Sequence, residues 1–187
     1  MTPLARCEDS LLVSIDVQDR LVAAIPEKPR RQAVTASLRL VRVARMLEVP
    51  VVFTRQYPKG LGEIHPPLAE HASDTPVDKT CFSCCGEQDF LEQVLGSHRR
   101  QIILTGMETH ICVLQTALEL QREGLEVHVV EDAVCSRHKK HHKNALHRLR
   151  QAGIIVSNHE SVLFEWLRDA GHERFREISA MLREDGD

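Results

Sequence analysis

Gln101-Ile102-Ile103-Leu104-Thr105-Gly106-Met107-Glu108-Thr109-His110-Ile111-Cys112-Val113 is the stretch on which the reading of the chain turns. An apolar run of the kind found in buried strands ends at Gly106, and a helical pattern opens shortly after it. Thr109 suits an N-cap, and Val113, Leu114, Ala117, Leu118 and Leu120 recur behind it at helical spacing. Cys112 therefore falls in the first turn of a helix leaving a buried strand. Unpaired N–H groups and the positive end of the helix dipole favour a thiolate there. The same turn offers N–H groups to a developing oxyanion. Two readings stay open on this stretch alone: a nucleophilic cysteine in a hydrolase, or a small buried residue closing a helix onto a sheet.

Working toward the N-terminus, Leu11-Leu12-Val13-Ser14-Ile15 reads as a buried strand closed by Asp16, whose carboxylate needs a partner if buried. A helix follows, with Pro29 at its first position and Val34, Leu38, Val41 and Leu47 on one face. Pro50-Val51-Val52-Phe53-Thr54 is the next strand. Residues 55–75 carry Pro58, Gly60, Gly62, Pro66 and Pro67, which forbid long regular elements and mark a functional or disordered loop. Val77-Asp78-Lys79-Thr80 is a short strand with Lys79 near its end, and residues 87–95 are helical. Toward the C-terminus, Gly124 caps the Cys112 helix. A strand over 125–130, a helix over 140–151, a strand over 153–156 and helical stretches over 161–169 and 172–183 complete the order. Strands separated by helices predict a parallel sheet covered on both faces, with ligands beyond the carboxyl ends of the strands where strand order reverses. Asp16, Lys79 and the Gly106–Cys112 turn all fall at such ends.

Composition sets the outer limits. With 187 residues and 42% hydrophobic content, the chain fits one globular domain over residues 1–187, with residues 1–10 expected to be a flexible N-terminus. A net charge of −3 gives no general attraction to nucleic acid or to acidic membranes. The N-terminus lacks the apolar core of a signal peptide, and no run is long enough to span a bilayer. Six cysteines without a secretory signal indicate free thiols in a cytoplasmic protein.

Asp16-x-Gln18, Lys79-Thr80 followed by Phe82-Ser83, and Gly106 to Val113 occur in an order that resembles the isochorismatase-like cysteine hydrolases, from Leu11 to Leu182. Within them the chain is most similar to the isochorismatase-domain-containing proteins, through the stretches Thr54–Gly62, Asp132–Arg137 and Ser161–Glu165. The resemblance implies a three-layer α/β/α sandwich around a six-stranded parallel sheet in the order 3-2-1-4-5-6. It also implies a catalytic Asp16, Lys79 and Cys112, and a cis peptide near Met107–Glu108 that turns the Glu108 and Cys112 N–H groups toward one oxyanion position. Lys79 would favour the Cys112 thiolate. Asp16 would take the thiol proton, give it to a leaving amine and then activate water. Gln18, Gln56, Tyr57 and Met107 are the candidate substrate contacts. A small-molecule substrate, no cofactor and a homo-oligomer, with the two C-terminal helical stretches as interface elements, complete the expectation.

Departures narrow it. The metal-dependent members carry an Asp-x-His motif after the second strand, where this chain has Gln56-Tyr57-Pro58, so no metal site is expected there. His65 and His71 read as surface residues of a Pro-rich loop. Cys81-x-x-Cys84 has no second ligand pair for zinc and reads as packing thiols beside the site. His138-Lys139-Lys140-His141-His142-Lys143 reads as the solvated first turn of a helix, with His138 and His142 on one face. A cysteine in place tilts the chemistry toward C–N hydrolysis and away from the vinyl-ether reaction of isochorismatases. A non-catalytic binding protein of the same fold is the competing class.

Overall fold

The structure, a computed structural model, describes residues 4–72 and 76–184. The chain runs β1 (Ser10–Ile15), α1 (Asp19–Ala24), α2 (Glu27–Met46), β2 (Val51–Gln56), the single turns α3 (Pro58–Leu61) and α4 (Pro66–Ala69), and β3 (Val77–Lys79). A 3-10 turn over Cys84–Gly86 leads to α5 (Gln88–Gly96) and β4 (Gln101–Met107). A π-helical turn over Thr109–Val113 then enters α6 (Leu114–Arg122). The chain closes with β5 (Glu126–Cys135), α7 (Lys139–Gln151), β6 (Ile155–Ser157), α8 (His159–Leu167) and α9 (Phe175–Glu184).

The strands form one sheet in the order β3-β2-β1-β4-β5-β6, with every pairing parallel. Alternation of side chains explains why both faces are covered. Leu12 joins one core with Leu40 and Val43 of α2 and Trp166 of α8. Leu11, Val13 and Ile15 join the other, with Phe90 of α5, Leu120 of α6 and Leu149 of α7. Each such fully buried aliphatic side chain contributes about 1.5–3 kcal/mol. Strand order reverses between β1 and β4, which pair from Ser10 with Gln101 to Ile15 with Gly106. At that last pair a Cβ on Gly106 would lie 1.9 Å from the Ile15 carbonyl oxygen, and φ is +114°. Only glycine fits, and its absence of side chain lets the two strand ends close together at the switch point.

Several boundaries differ from the sequence reading. α2 starts at Glu27 with Pro26 as its N-cap, so Pro29 sits inside the first turn, where its missing N–H is still harmless. α1 was not foreseen, because Asp19–Ala24 is too short for periodicity to show. β5 runs on to Cys135 where the apolar run suggested an end at Val130; its pairing with β4 shifts register between Leu104 and Gly106 and then resumes at Val134 and Cys135. The intervening Glu131 and Asp132 are tolerated because Arg150 and His159 pair with them at 2.6 Å each. β2 runs on to Gln56, into the stretch expected to be loop; beyond it Pro58 and Pro66 start single helical turns, and this segment is tied to the exit of β1 by a Gln18–Ile64 bridge and by the His65 N–H donating to the Val17 carbonyl at 2.8 Å. Residues 73–75, and residues 1–3 of the expected loose N-terminus, lie outside the described residues. Residues 4–9 are held: Ala5 is buried and its N–H donates to Glu165 at 2.7 Å. The indole N–H of Trp166 donates to Ser10 at 2.9 Å, and Ile178 of α9 is fully buried, so the terminal helices pack on the domain's own core.

Candidate active site

The carboxyl ends of β1, β3 and β4 lead to Asp16, Lys79 and Cys112. Asp16 follows β1 directly and adopts a left-handed backbone (φ +51°) that its short polar side chain tolerates. Its carboxylate is fully buried. Oδ2 lies 2.7 Å from the Lys79 ammonium, and both side chains are wholly excluded from solvent. Oδ1 accepts a hydrogen bond from the Thr54 hydroxyl at 2.7 Å, and Thr54 Oγ1 accepts the Asp16 N–H at 3.3 Å. Thr54 thus fixes one oxygen and leaves Oδ2 to the ammonium.

Lys79 is caged. Its Nζ donates to Gln56 Oε1 at 2.6 Å and to the carbonyls of Cys81 and Phe82 at 3.2 and 3.1 Å. The loop after β3 therefore folds back over its own lysine. Burial by itself would lower the Lys79 pKa. The Asp16 carboxylate opposes it, and the net direction is up. The group is a fixed cation.

Cys112 is buried in the π-helical turn behind β4, whose first residue is Thr109 and whose N-cap is Glu108, one position earlier than expected. The Met107–Glu108 peptide is cis. The Glu108 carbonyl accepts the N–H groups of Ile111 and Val113 at 3.0 and 3.3 Å, which sets the wide turn around Cys112. Asp16 and Lys79 both act on the sulfur, in opposite senses. Burial first, and Asp16 second, push the Cys112 thiol pKa up, against the lowering effect of Lys79. The net direction is toward the thiol, opposite to the thiolate that helix position alone suggested, and burial is its main cause.

A second thiol reaches the same cluster. Cys84 is fully buried, its N–H donates to Thr116 Oγ1 at 2.9 Å, and its S–H lies 3.9 Å from Thr54 Oγ1. Burial pushes its pKa up to about 12. Cys81 is exposed, so the two members of the C-x-x-C spacing occupy different environments. Thr54 was not singled out by the sequence, where a hydroxyl ending an apolar strand run was the available signal, and Cys84 was read only as a packing thiol beside the site.

Of the expected substrate contacts, Gln18 has both ends of its amide on backbone: Nε2 donates to the carbonyls of Gln56 and Gly62, at 3.1 and 2.7 Å, and Oε1 accepts the Gln56 N–H at 2.8 Å. Gln56 holds Lys79 through Oε1 and donates to the Thr80 carbonyl through Nε2 at 2.8 Å. Both side-chain amides are engaged with the protein's own groups. Met107 is buried in the core beneath the turn, whereas Tyr57 is exposed at the mouth of its loop, as is Phe82.

The Glu108 carboxylate points away from this cluster and accepts from the Arg137 backbone N–H at 2.9 Å and from Arg137 Nε at 3.1 Å. His110 shares a hydrogen bond with Ser136 at 3.0 Å and lies 4.8 Å from the ring of His141, which meets His138 at 5.1 Å. His142 turns instead to Thr109 Oγ1 at 3.0 Å, so His138 and His142 do not act as a pair. His65 pairs with Asp19 at 3.0 Å. Among the described residues no group of three or more His, Cys, Asp or Glu side chains is placed to hold a metal ion.

Fold and site together define a doubly wound α/β protein with an acid, an ammonium and a thiol gathered where its strand order reverses. The isochorismatase domain profile matches residues 10–161, and the chain belongs to the isochorismatase family. It is 40% identical over 179 residues to mouse isochorismatase domain-containing protein 2A, covering 95% of this chain and 84% of that one. The bovine isochorismatase domain-containing protein 2 is 43% identical over 156 residues, covering 82% and 74%. Among solved structures, the MAR1 ribonuclease of Caenorhabditis elegans superposes with a TM-score of 0.88 at 36% identity, covering 96% of this chain and 92% of that one. The family's hydrolase fold supports a hydrolase role for this chain. No helix among the described residues is long and apolar enough to cross a membrane.

Proposed function

We propose that the chain is a metal-independent cysteine hydrolase that cleaves the C–N bond of a small amide or carbamoyl-type substrate. The observation that carries this reading is the solvent-excluded Asp16–Lys79 pair, 2.7 Å apart, acting on the Cys112 thiol. A buried carboxylate beside a neutral thiol is a general base in place, and a fixed ammonium beside both lowers the energy of the thiolate as it forms. Asp16 takes the proton as Cys112 sulfur attacks the substrate carbonyl carbon, and the C=O electron pair moves onto oxygen. The backbone N–H groups of Glu108 and Cys112 receive that oxyanion. On collapse the C–N bond breaks, Asp16 returns the proton to the departing nitrogen, and a Cys112 thioester remains. Asp16 then deprotonates a water that attacks the thioester, and the thiol is regenerated. Tyr57 at the exposed mouth contacts the substrate, while Gln18, Gln56 and Met107 hold the frame. The donor set supports the absence of a metal step: Gln56-Tyr57-Pro58 offers neither carboxylate nor imidazole where metal-binding members carry both. The working setting is a cytoplasmic homo-oligomer with no nucleic-acid or membrane partner.

The C. elegans relative is named a ribonuclease, and RNA is therefore one arm of the test. A chain of net charge −3 has no general electrostatic pull on a polyanion. Purified protein is assayed against a panel of amides, ureides and carbamoyl amines and against RNA, with Cys112→Ser as control. Release of amine or ammonia that the Cys112→Ser variant lacks is the expected result. RNA cleavage of equal rate in both proteins, with no turnover of any carbonyl substrate, overturns the reading.

A further inference from the structure

The carboxyl end of β5 borders a cavity of about 550 Å³ that includes none of Asp16, Lys79 or Cys112. The start of α2, the start of α7 and the exit of β5 form its walls, and its apolar floor contains Pro29, Val134 and Cys135. The charged groups around it are unevenly matched. Both carboxylates in the wall are engaged elsewhere. Asp132 takes the ring nitrogen of His159 at 2.6 Å and its backbone N–H at 2.9 Å, and Glu131 takes Arg150 at 2.6 Å. The cations are not. Among the described residues Lys28 and Lys139 make no hydrogen bond or ion pair. Arg137 uses its backbone N–H and Nε on Glu108 and leaves both Nη groups without an acceptor. Both helical walls present their N-terminal ends, whose field favours the same sign of ligand.

We infer that this cavity binds a small phosphate monoester with a compact apolar body. The two free Nη groups of the Arg137 guanidinium match a phosphate bidentately, and two ammonium groups add point charges. A phosphate monoester carries about −1.5 to −2 charge at pH 7, which suits three cations with no free carboxylate among them. The proline, valine and cysteine floor takes the organic group. Because Arg137 holds Glu108 with its inner edge, the head group lies against the outer side of the turn that carries Cys112. The site is separate from the catalytic reading and stands or falls without it.

Phenyl phosphate is the probe, titrated into the full chain and followed by calorimetry and by amide chemical shifts. Saturable binding is expected with Kd below about 1 mM, weakened by about tenfold in a Lys28→Gln/Lys139→Gln double variant. Both lysines are exposed and unpartnered, so the variant's unfolding curve should match wild type. Inorganic phosphate should bind more weakly than phenyl phosphate, added salt should weaken the wild-type complex, and Cys112→Ser should bind unchanged. Shifts should centre on Arg137 and Lys139. The inference fails if binding does not saturate, if the double variant binds as tightly as wild type, if salt has no effect, or if the shifts centre on Asp16, Lys79 and Cys112 instead.

Discussion

Two charged clusters flank the same turn, and they are built on opposite terms. On one side Asp16 and Lys79 are sealed from solvent, and every other contact they make is to the protein. On the other, Glu108 is buried but its partner Arg137 has a side chain 53% exposed, and His138 and His141 around it face water. The first cluster is held in one geometry by protein groups alone; the second exchanges partners with solvent. Proton transfer between groups held in fixed positions away from bulk water belongs in the first, and reversible recognition of an outside anion belongs in the second.

The contrast is broken most severely by removing one member of each pair. Lys79→Met leaves the Asp16 carboxylate buried and alone, with an expected loss of about 3–5 kcal/mol. Arg137→Gln is expected to lose no more than about 1 kcal/mol, because the Arg137 backbone N–H still serves Glu108 and water reaches the rim. Urea unfolding of both variants measures the difference, and equal losses would erase the distinction. Next in size is Thr54→Val, which takes the donor from Asp16 Oδ1 at a buried position and should lower stability by about 1–3 kcal/mol. Thr54→Ser, which keeps the hydroxyl, should recover most of that loss and the turnover with it.

The smallest effect sharpens the other side. Burial lowers the pKa of His110 and His142 below the ordinary value, with Glu108 opposing it at His110 and Glu131 at His142. A depressed folded pKa contributes stability that is fully present above the unfolded value of about 6.5 and is lost as pH falls through the folded one. Urea midpoints should therefore fall as pH drops below about 6.5, and a His110→Asn/His142→Asn double variant should flatten that fall.

How far the sequence carried this picture depended on the kind of residue. Leu11 to Ile15 and Gln101 to Gly106 are legible because apolar runs ending in Asp16 and Gly106 have few other uses, and the order of the sheet followed with the family likeness. Asp16, Lys79 and Cys112 could be named because each closes a strand or opens a turn. What those residues do to each other could not. The direction of the Cys112 pKa depends on how completely the site is sealed, a property of packing that no local pattern encodes. Thr54 was missed for the same reason, and the backbone partners of Gln18 and Gln56 were illegible because a polar side chain gives no hint of which backbone groups it will meet. The extension of β5 past Glu131 and Asp132 rested on Arg150 and His159, both distant in sequence.

Trapping the covalent intermediate tests the nucleophile most directly. The chain is mixed with an activated carbonyl compound such as p-nitrophenyl acetate, quenched in acid and mapped by peptide mass. One acyl group should appear on the peptide containing Cys112, be released by hydroxylamine, and be missing in Cys112→Ser and Lys79→Met. Acylation of Cys81, Cys84 or Cys85 in its place, or undiminished hydrolysis by Cys112→Ser, contradicts the account.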